Sequence, residues 1–404
     1  MVVRRTDVCG ERDGFVSATD FDIVVIGAGI AGASAAALLA QTRRVLVLER
    51  ESQPGYHSTG RSAALFSAIY GSPGVRALSR ASRDFLYAPA PGFAEAPLVK
   101  PRGALYIASR DQVPALDVFS ALPDIAPATR AVDTAEALRL CPILREDYAV
   151  RAVLEPDAAD VDVHSLHQGY LRMLRARGGV VATDREVERL ERRGGRWRVT
   201  ANGETYSAPI VINAAGAWAD VIAGLAGVAP VGLQPMRRTA VLVDPPEGVS
   251  VEAWPMVIDI DEQFYFKPDA GQLLLSPADE TPVDPCDAQA DEWDVATAVA
   301  RVEEATTLQV RRVAHRWAGL RSFVADRTPV VGYAPDAEGF FWLAGQGGYG
   351  IQTGPAMAET ACALVLGREI PARLAALGVD ARDLAPERLL GEPETAQRVT
   401  GAAS

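Results

Sequence analysis

"DIVVIGAGIAGASAAALLAQTRRVLVLER", residues 22–50, decides the fold. It reads as a buried strand from Ile23 to Ile26, a glycine turn, an alanine-rich helix, and a second buried strand from Val45 to Leu48 that ends at Glu49. That is a βαβ unit. Gly27 permits the tight turn, Gly29 lets the backbone approach a pyrophosphate at the helix N-terminus, and Gly32 lets helix and strand pack closely. Glu49 falls about 20 residues beyond the turn, where an acid accepts ribose hydroxyls. The glycines alone do not separate NAD from FAD, because both cofactors carry the same ADP half.

The whole chain, 404 residues, is long enough for two domains with sizeable cores. Its formal charge of −12 argues against a general attraction to nucleic acid or anionic lipid, and lysine is confined to Lys100 and Lys267. Cys9, Cys141, Cys286 and Cys362 lie far apart without CxxC spacing, which fits reduced thiols and a cytoplasmic location better than disulfides or zinc. The start has an Arg-Arg pair but no apolar run behind it, so no secretory or twin-arginine leader is expected. Residues 1–19 and the polar tail 390–404 read as loose ends. The longest apolar stretch, 208–233, is broken by Asn213, Asp220 and Pro230, so no integral membrane segment is expected.

Three further stretches bear on the cofactor. In "GYHSTGRSAALFSAIYG", residues 55–71, the hydroxyls of Ser58, Thr59 and Ser62 and the amides around Gly60 offer donors for a second phosphate and for the edge of a ring system. "IVINAAGAWAD", ending at Asp220, is a buried strand running into a small-residue turn at Ala214 to Gly216. "GFFWLAGQGGYGIQTGPAMAETACALVLG", ending at Gly367, repeats the plan of strand, glycine loop and helix, with the helix starting near Ile351 to Thr353. A helix N-terminus there favours negative charge, such as that of a reduced flavin.

"HSTGRSAA", "NAAGAW", "WAGLRSF" and "GGYGIQT" give the run from Asp22 to Gly367 a resemblance to the two-domain D-amino-acid oxidase superfamily of FAD enzymes, and within it to the bacterial D-arginine dehydrogenases. The resemblance implies an α/β fold: a discontinuous Rossmann-type FAD domain from 20–75, 155–232 and 325–372, and a mixed-sheet substrate domain from 76–154 and 233–324. It implies a cofactor shell of Gly27, Ala28, Gly29, Ile30, Ala31 and Gly32 with Glu49 and Arg50. The loop adds Ser58, Thr59, Gly60, Arg61, Ser62, Ala63 and Ala64, and the middle of the chain adds Val187, Ala215, Gly216 and Trp218. Gly347, Gly348, Tyr349, Gly350, Ile351, Gln352 and Thr353 complete it. No cysteine lies in "GLRSFVADRTP", where covalent members attach their flavin, so the FAD is expected to be non-covalent.

An enzyme that oxidises an amino acid must hold the carboxylate, and the planar fork of arginine does so bidentately. Taken alone, Arg238 and Arg321 read more readily as surface or structural arginines; the resemblance assigns them the substrate carboxylate. It likewise assigns Tyr70 and Tyr265 to the pocket wall, where each could equally be a core aromatic, and the backbone carbonyl of Gly348 to the amine. His164 and His167 sit on an amphipathic helix with no third ligand nearby, so no metal site is expected. Leu65, Ser67, Ala104 and Ile351 form the expected side-chain pocket. Where the arginine-oxidising relatives carry a histidine after "RSAA" this chain has Leu65, and where they carry a glutamate after "PR" it has Ala104. A buried guanidinium without a partner is costly, so the pocket should prefer a neutral or apolar side chain.

The expected function is therefore FAD-dependent oxidation of a D-amino acid with a neutral or hydrophobic side chain. Hydride passes to flavin N5, and the imino acid hydrolyses to a 2-oxo acid and ammonia. The alternative is an N-substituted or cyclic amino acid, sarcosine- or proline-like. The expected partners are that substrate and an electron acceptor, whether oxygen, a quinone or a dye. An NAD-linked dehydrogenase would need a separate nicotinamide unit, and a bare flavin-binding module would not need two arginines and two tyrosines aimed at one cavity.

Overall fold

In the computed structural model, which describes residues 19–389, strand Ile23–Ile26 is buried along its whole length. The loose ends expected at 1–19 and 390–404 lie outside the described residues, as does Cys9, except for Thr19, whose carbonyl accepts the Ser207 N–H at 2.9 Å. Ile23–Ile26 pairs in parallel with Val45–Leu48 on one side and Ile210–Asn213 on the other. Six strands follow the order 330–333, 340–344, 210–213, 23–26, 45–48, 180–182. Runs of four apolar residues suit these positions because a parallel sheet is covered on both faces.

One face is covered by helices Ile30–Leu39, Val163–Ala176 and Gly350–Val365. The other is covered by a three-stranded sheet (187–193, 196–201, 204–208) and helix Ala219–Ala226. Gly27 has φ +100°, and a Cβ on Gly32 would fall inside the radius of the Gly27 carbonyl oxygen. Only glycine meets both demands.

Helix Pro73–Tyr87 departs from the expected division at residue 76. Ser72 caps it by accepting the Val75 N–H, and its apolar face packs on Gly350–Val365. Gln352 Nε2 donates to Ser79 Oγ at 2.9 Å, and the Ala356 N–H donates to Ser82 Oγ at 3.0 Å. This helix thus belongs to the dinucleotide layer. An amphipathic face fits there because small residues line the facing helix.

The second sheet has nine strands. Strand Gln234–Val243 pairs with Val313–Phe323 over its full length, with Arg238 opposite Gly319 and Met236 opposite Arg321. Strand Ala104–Ala108 runs between Met256–Asp259 and Arg151–Glu155, so Ala104 stands opposite both Met256 and Glu155. The two layers are stitched where the Gly347 N–H donates to the Ser322 carbonyl at 2.9 Å. No helix among the described residues is long and apolar enough to cross a membrane. Cys141, Cys286 and Cys362 are unpaired, and burial pushes the Cys141 thiol up to about 12.

The packing yields a pair of substitutions with opposite signs. Gly32→Ala forces backbone against backbone and is expected to lower stability by about 3 kcal/mol. Gly224→Ala, on an exposed helical surface where a Cβ meets nothing within 4 Å, is expected to raise it by about 0.5–1 kcal/mol. Thermal unfolding of both variants checks the two signs.

Candidate active site

Two cavities open along the C-terminal ends of the parallel strands, where an open α/β sheet receives its ligand. The outer one, about 310 Å³, is lined by Gly27, Gly29, Glu49, Arg50, Val187 and Trp218, together with Ala215 and Gly216. Glu49 is pre-positioned: Oε2 accepts the Ala28 N–H at 2.8 Å and Oε1 the Glu51 N–H at 3.0 Å. Arg50 lies over the Trp218 ring at 4.8 Å. His167 Nε2 lies 2.8 Å from the Ala28 carbonyl; burial lowers its pKa, so the neutral ring donates there. Its partner is thus the glycine turn, and no metal-binding group of side chains occurs among the described residues.

The loop after Glu49 divides its labour differently from expectation. Thr59 Oγ1 accepts the Ile30 N–H at 3.0 Å, which leaves its own hydrogen for the cavity. Ser62 Oγ likewise accepts the Ala64 N–H at 3.1 Å. Ser58, however, spends its single hydrogen on the Leu320 carbonyl at 2.6 Å, and the Gly60 N–H closes a turn on Gly55 O at 2.8 Å. Arg61 donates to the Ala288 and Ala318 carbonyls at 2.9 and 3.1 Å and pairs with Asp287. Ser58 and Arg61 thus anchor the loop to the second sheet, and the Gly60 N–H closes the loop on itself, instead of offering donors to a phosphate.

The inner cavity, about 230 Å³, shares Gly29, Ser58, Thr59, Ala214 and Gly216 with the outer one, so the two form a single cleft. Ile30, Ala31, Ala63, Ala64, Gly347, Gly348, Gly350 and Gln352 line its dinucleotide side. Helix Gly350–Val365 starts there, aiming its N-terminal dipole at the cavity. Leu65, Ser67, Tyr70, Arg238, Tyr265, Arg321 and Ile351 line the opposite side. Tyr349 and Thr353 do not reach the cavity; Tyr349 backs Tyr70 edge-on at 5.1 Å, and Thr353 Oγ1 donates to the Tyr349 carbonyl. Ala104 corrects the expected pocket. It is fully buried beside Ile69, Tyr106, Met256 and Ile258 and does not line the cavity. Tyr106, Met256, Ile258 and Glu262 line it without having been singled out, because strand alternation marks a buried face but not a wall.

Arg321 is the electrostatic centre. Its Nη2 donates to the Tyr70 hydroxyl and its Nη1 to Glu280 Oε1, each at 3.0 Å, and its guanidinium packs so tightly on Gly348 that no Cβ fits. Burial opposes its charge, but Tyr70, Tyr349 and Glu280 outweigh this and hold its pKa above the ordinary value. Arg238 donates from Nε to the Asp279 carbonyl at 2.7 Å and from Nη2 to the same Glu280 oxygen at 3.2 Å; Arg327 reaches that oxygen at 2.8 Å. Burial would raise the Glu280 carboxyl, but Arg327, Arg321 and Arg238 together keep it below its usual range. Three guanidinium groups thus share one carboxylate oxygen. Arg238 Nη1 and Arg321 Nε keep no protein acceptor among the described residues, and this is donor chemistry for an incoming carboxylate.

The glycine-only turn, the pre-positioned acid and the two-part cleft fit a flavin dinucleotide, whose ribose Glu49 would hold and whose ring the loop 347–350 would meet. Against curated proteins, the chain is 32% identical over 176 residues to bovine (Bos taurus) FAD-dependent oxidoreductase domain-containing protein 1, a match covering 39% of this chain and 35% of that protein. The match thus spans about a third of that relative's length. Its architecture is similar to glycine oxidase from Geobacillus kaustophilus (TM-score 0.78, 22% identity, 90% of this chain and 99% of that one). It is also similar to L-proline dehydrogenase from P. horikoshii (TM-score 0.76, 21% identity, 91% and 97%). The model of the DAO family of FAD dependent oxidoreductases matches residues 22–364, which takes in both sheets and every cavity-lining residue named above, and the chain belongs to that family.

Proposed function

We propose that the chain oxidises an α-amino acid of the D series with a neutral or apolar side chain. The observation that carries this reading is the pair Arg238 and Arg321, each with a donor to spare, both lining the inner cavity at which helix Gly350–Val365 starts. The D hand comes from the resemblance to the D-arginine-oxidising enzymes, and the neutral side chain from Leu65 at the wall.

FAD, when bound, supplies the two-electron acceptor that takes the α-hydrogen as hydride at N5. The residues of the chain do the rest. Arg238 Nη1 and Arg321 Nε hold the substrate carboxylate, with Glu280 fixing both forks from behind. Tyr70 accepts from Arg321, so its own hydrogen turns toward the substrate. The Gly348 carbonyl accepts an N–H of the neutral amine. Leu65, Met256 and Ile258 exclude water until the imino acid leaves and hydrolyses to the 2-oxo acid and ammonia. Both electrons are then passed on to an acceptor, whether oxygen, a quinone or a dye. A cyclic or N-substituted amino acid is the second reading, favoured by the architecture shared with L-proline dehydrogenase.

Anaerobic mixing of the flavoprotein with D- and L-amino acids, sarcosine and proline, followed by flavin absorbance, separates these readings. Neutral D-amino acids are expected to bleach the flavin; bleaching only by L-enantiomers or by secondary amines overturns the assignment. Arg321→Met is expected to keep the flavin spectrum and to cost about 3 kcal/mol in kcat/KM, the scale of a broken buried charge pair. Values within twofold of wild type remove Arg321 from the carboxylate site. Leu65 offers no proton acceptor at that wall, so the amine is expected to enter already neutral. kcat/KM should then rise toward alkaline pH with one apparent pKa that tracks the amine across a substrate series. A pKa indifferent to the substrate would instead reveal a base on the protein.

A further inference from the structure

Behind the inner cavity stands a buried carboxylate that the reaction above does not use. Glu155 ends strand Arg151–Glu155, is fully shielded from solvent, and faces Ala104 across the ladder. Its Oε2 accepts the Ser67 hydroxyl and its Oε1 the Ala68 N–H, each at 2.7 Å. Burial pushes its carboxyl up to about 7, against the pull of those two hydrogen bonds. A serine hydroxyl has one hydrogen, and here Glu155 takes it. While Glu155 is ionised, Ser67, which lines the cavity, therefore presents no hydrogen inward.

A second observation lies beside it. Tyr106 also lines the cavity; the residue is 5% exposed, and its hydroxyl is buried without a hydrogen-bond partner. Burial, reinforced by Glu155, raises the phenol well above its ordinary pKa, so it stays protonated and able to donate. A buried hydroxyl left unpaired is a destabilising feature unless something arrives to satisfy it. The surrounding wall, Leu65, Met256 and Ile258, is apolar and offers nothing of the kind.

We propose that Ser67 and Tyr106 form a polar subsite, oriented by Glu155, for a substrate side chain ending in a neutral group that both donates and accepts a hydrogen bond, a carboxamide or a hydroxyl. The donor goes to Ser67 Oγ, and the acceptor receives the Tyr106 hydrogen. An alkyl group offers Tyr106 no acceptor and leaves it only the neighbouring Ser67 hydroxyl. At Ser67 and Tyr106 themselves a cation meets no charge, because Ser67 stands between it and Glu155. This inference rests on reading the cavity as an amino-acid site and narrows that reading.

The test compares near-isosteric pairs by anaerobic flavin bleaching in the intact flavoprotein: D-asparagine with D-leucine, and D-homoserine with D-norvaline. In each pair the polar member is expected to bleach at least about tenfold more efficiently, and Tyr106→Phe is expected to collapse that ratio. Glu155→Gln supplies a second arm. Its carbonyl must keep the Ala68 N–H, so its amide donates to Ser67 Oγ and turns the Ser67 hydrogen into the cavity. The acceptor-only O-methyl-D-homoserine should then gain on D-homoserine. Equal rates within the wild-type pairs, or a ratio that survives Tyr106→Phe, overturn the subsite while leaving amino-acid oxidation standing. If no amino acid of either hand bleaches the flavin, the reading of the cavity falls, and the subsite with it.

Discussion

Ala28 is gripped from both sides. Its N–H is held by Glu49 at the end of the second strand, and its carbonyl by His167 from helix Val163–Ala176. These two bonds fix the turn between strand Ile23–Ile26 and helix Ile30–Leu39, whose first amides point into the cleft. Everything downstream is aligned on this turn: the ribose end by Glu49, the middle by Thr59 on Ile30, and the ring end by helix Gly350–Val365 packed against Ile30–Leu39. A peptide held by a carboxylate on one edge and a neutral imidazole on the other cannot rotate to satisfy itself elsewhere. The cleft is therefore shaped before any ligand enters it.

The substrate end is organised by charge. Buried guanidinium groups are costly unless paired, and full pairing would leave nothing for a ligand. Glu280 resolves this by sharing a single oxygen among Arg238, Arg321 and Arg327. The forks are held in place, yet the cluster stays positive enough to draw in one more carboxylate. Tyr70, Tyr349 and Phe323 pack around Arg321 and keep water from screening it.

The dinucleotide half was legible because its signals are local. Four-residue apolar runs, three glycines and an acid all fall within one stretch, and the strands Ile23–Ile26 and Val45–Leu48 have the bounds that stretch implies. The substrate half was legible only through likeness, since Arg238, Arg321 and Tyr70 meet across more than 80 residues of intervening chain in each case. Glu280 carried no signal beyond being one acid among many in a polar turn. Ala104 misled because its place in the pocket rested on likeness to the relatives' glutamate, and a matched position does not tell whether a cavity or a core lies against it. The division at residue 76 rested on likeness as well, and it cuts through helix Pro73–Tyr87.

The anchoring of the cofactor loop bears on the order in which the molecule can be made. Ser58 is tied to Leu320 across 262 residues of sequence, and Arg61 to Ala318 across 257. Contacts of such separation close late, because the loop entropy must be met before they form. A nascent chain that has not yet emerged through residue 320 can build the first strand, turn and helix, but it cannot seat the loop that walls the cleft. The wall of the cleft is thus complete only once both sheets have docked.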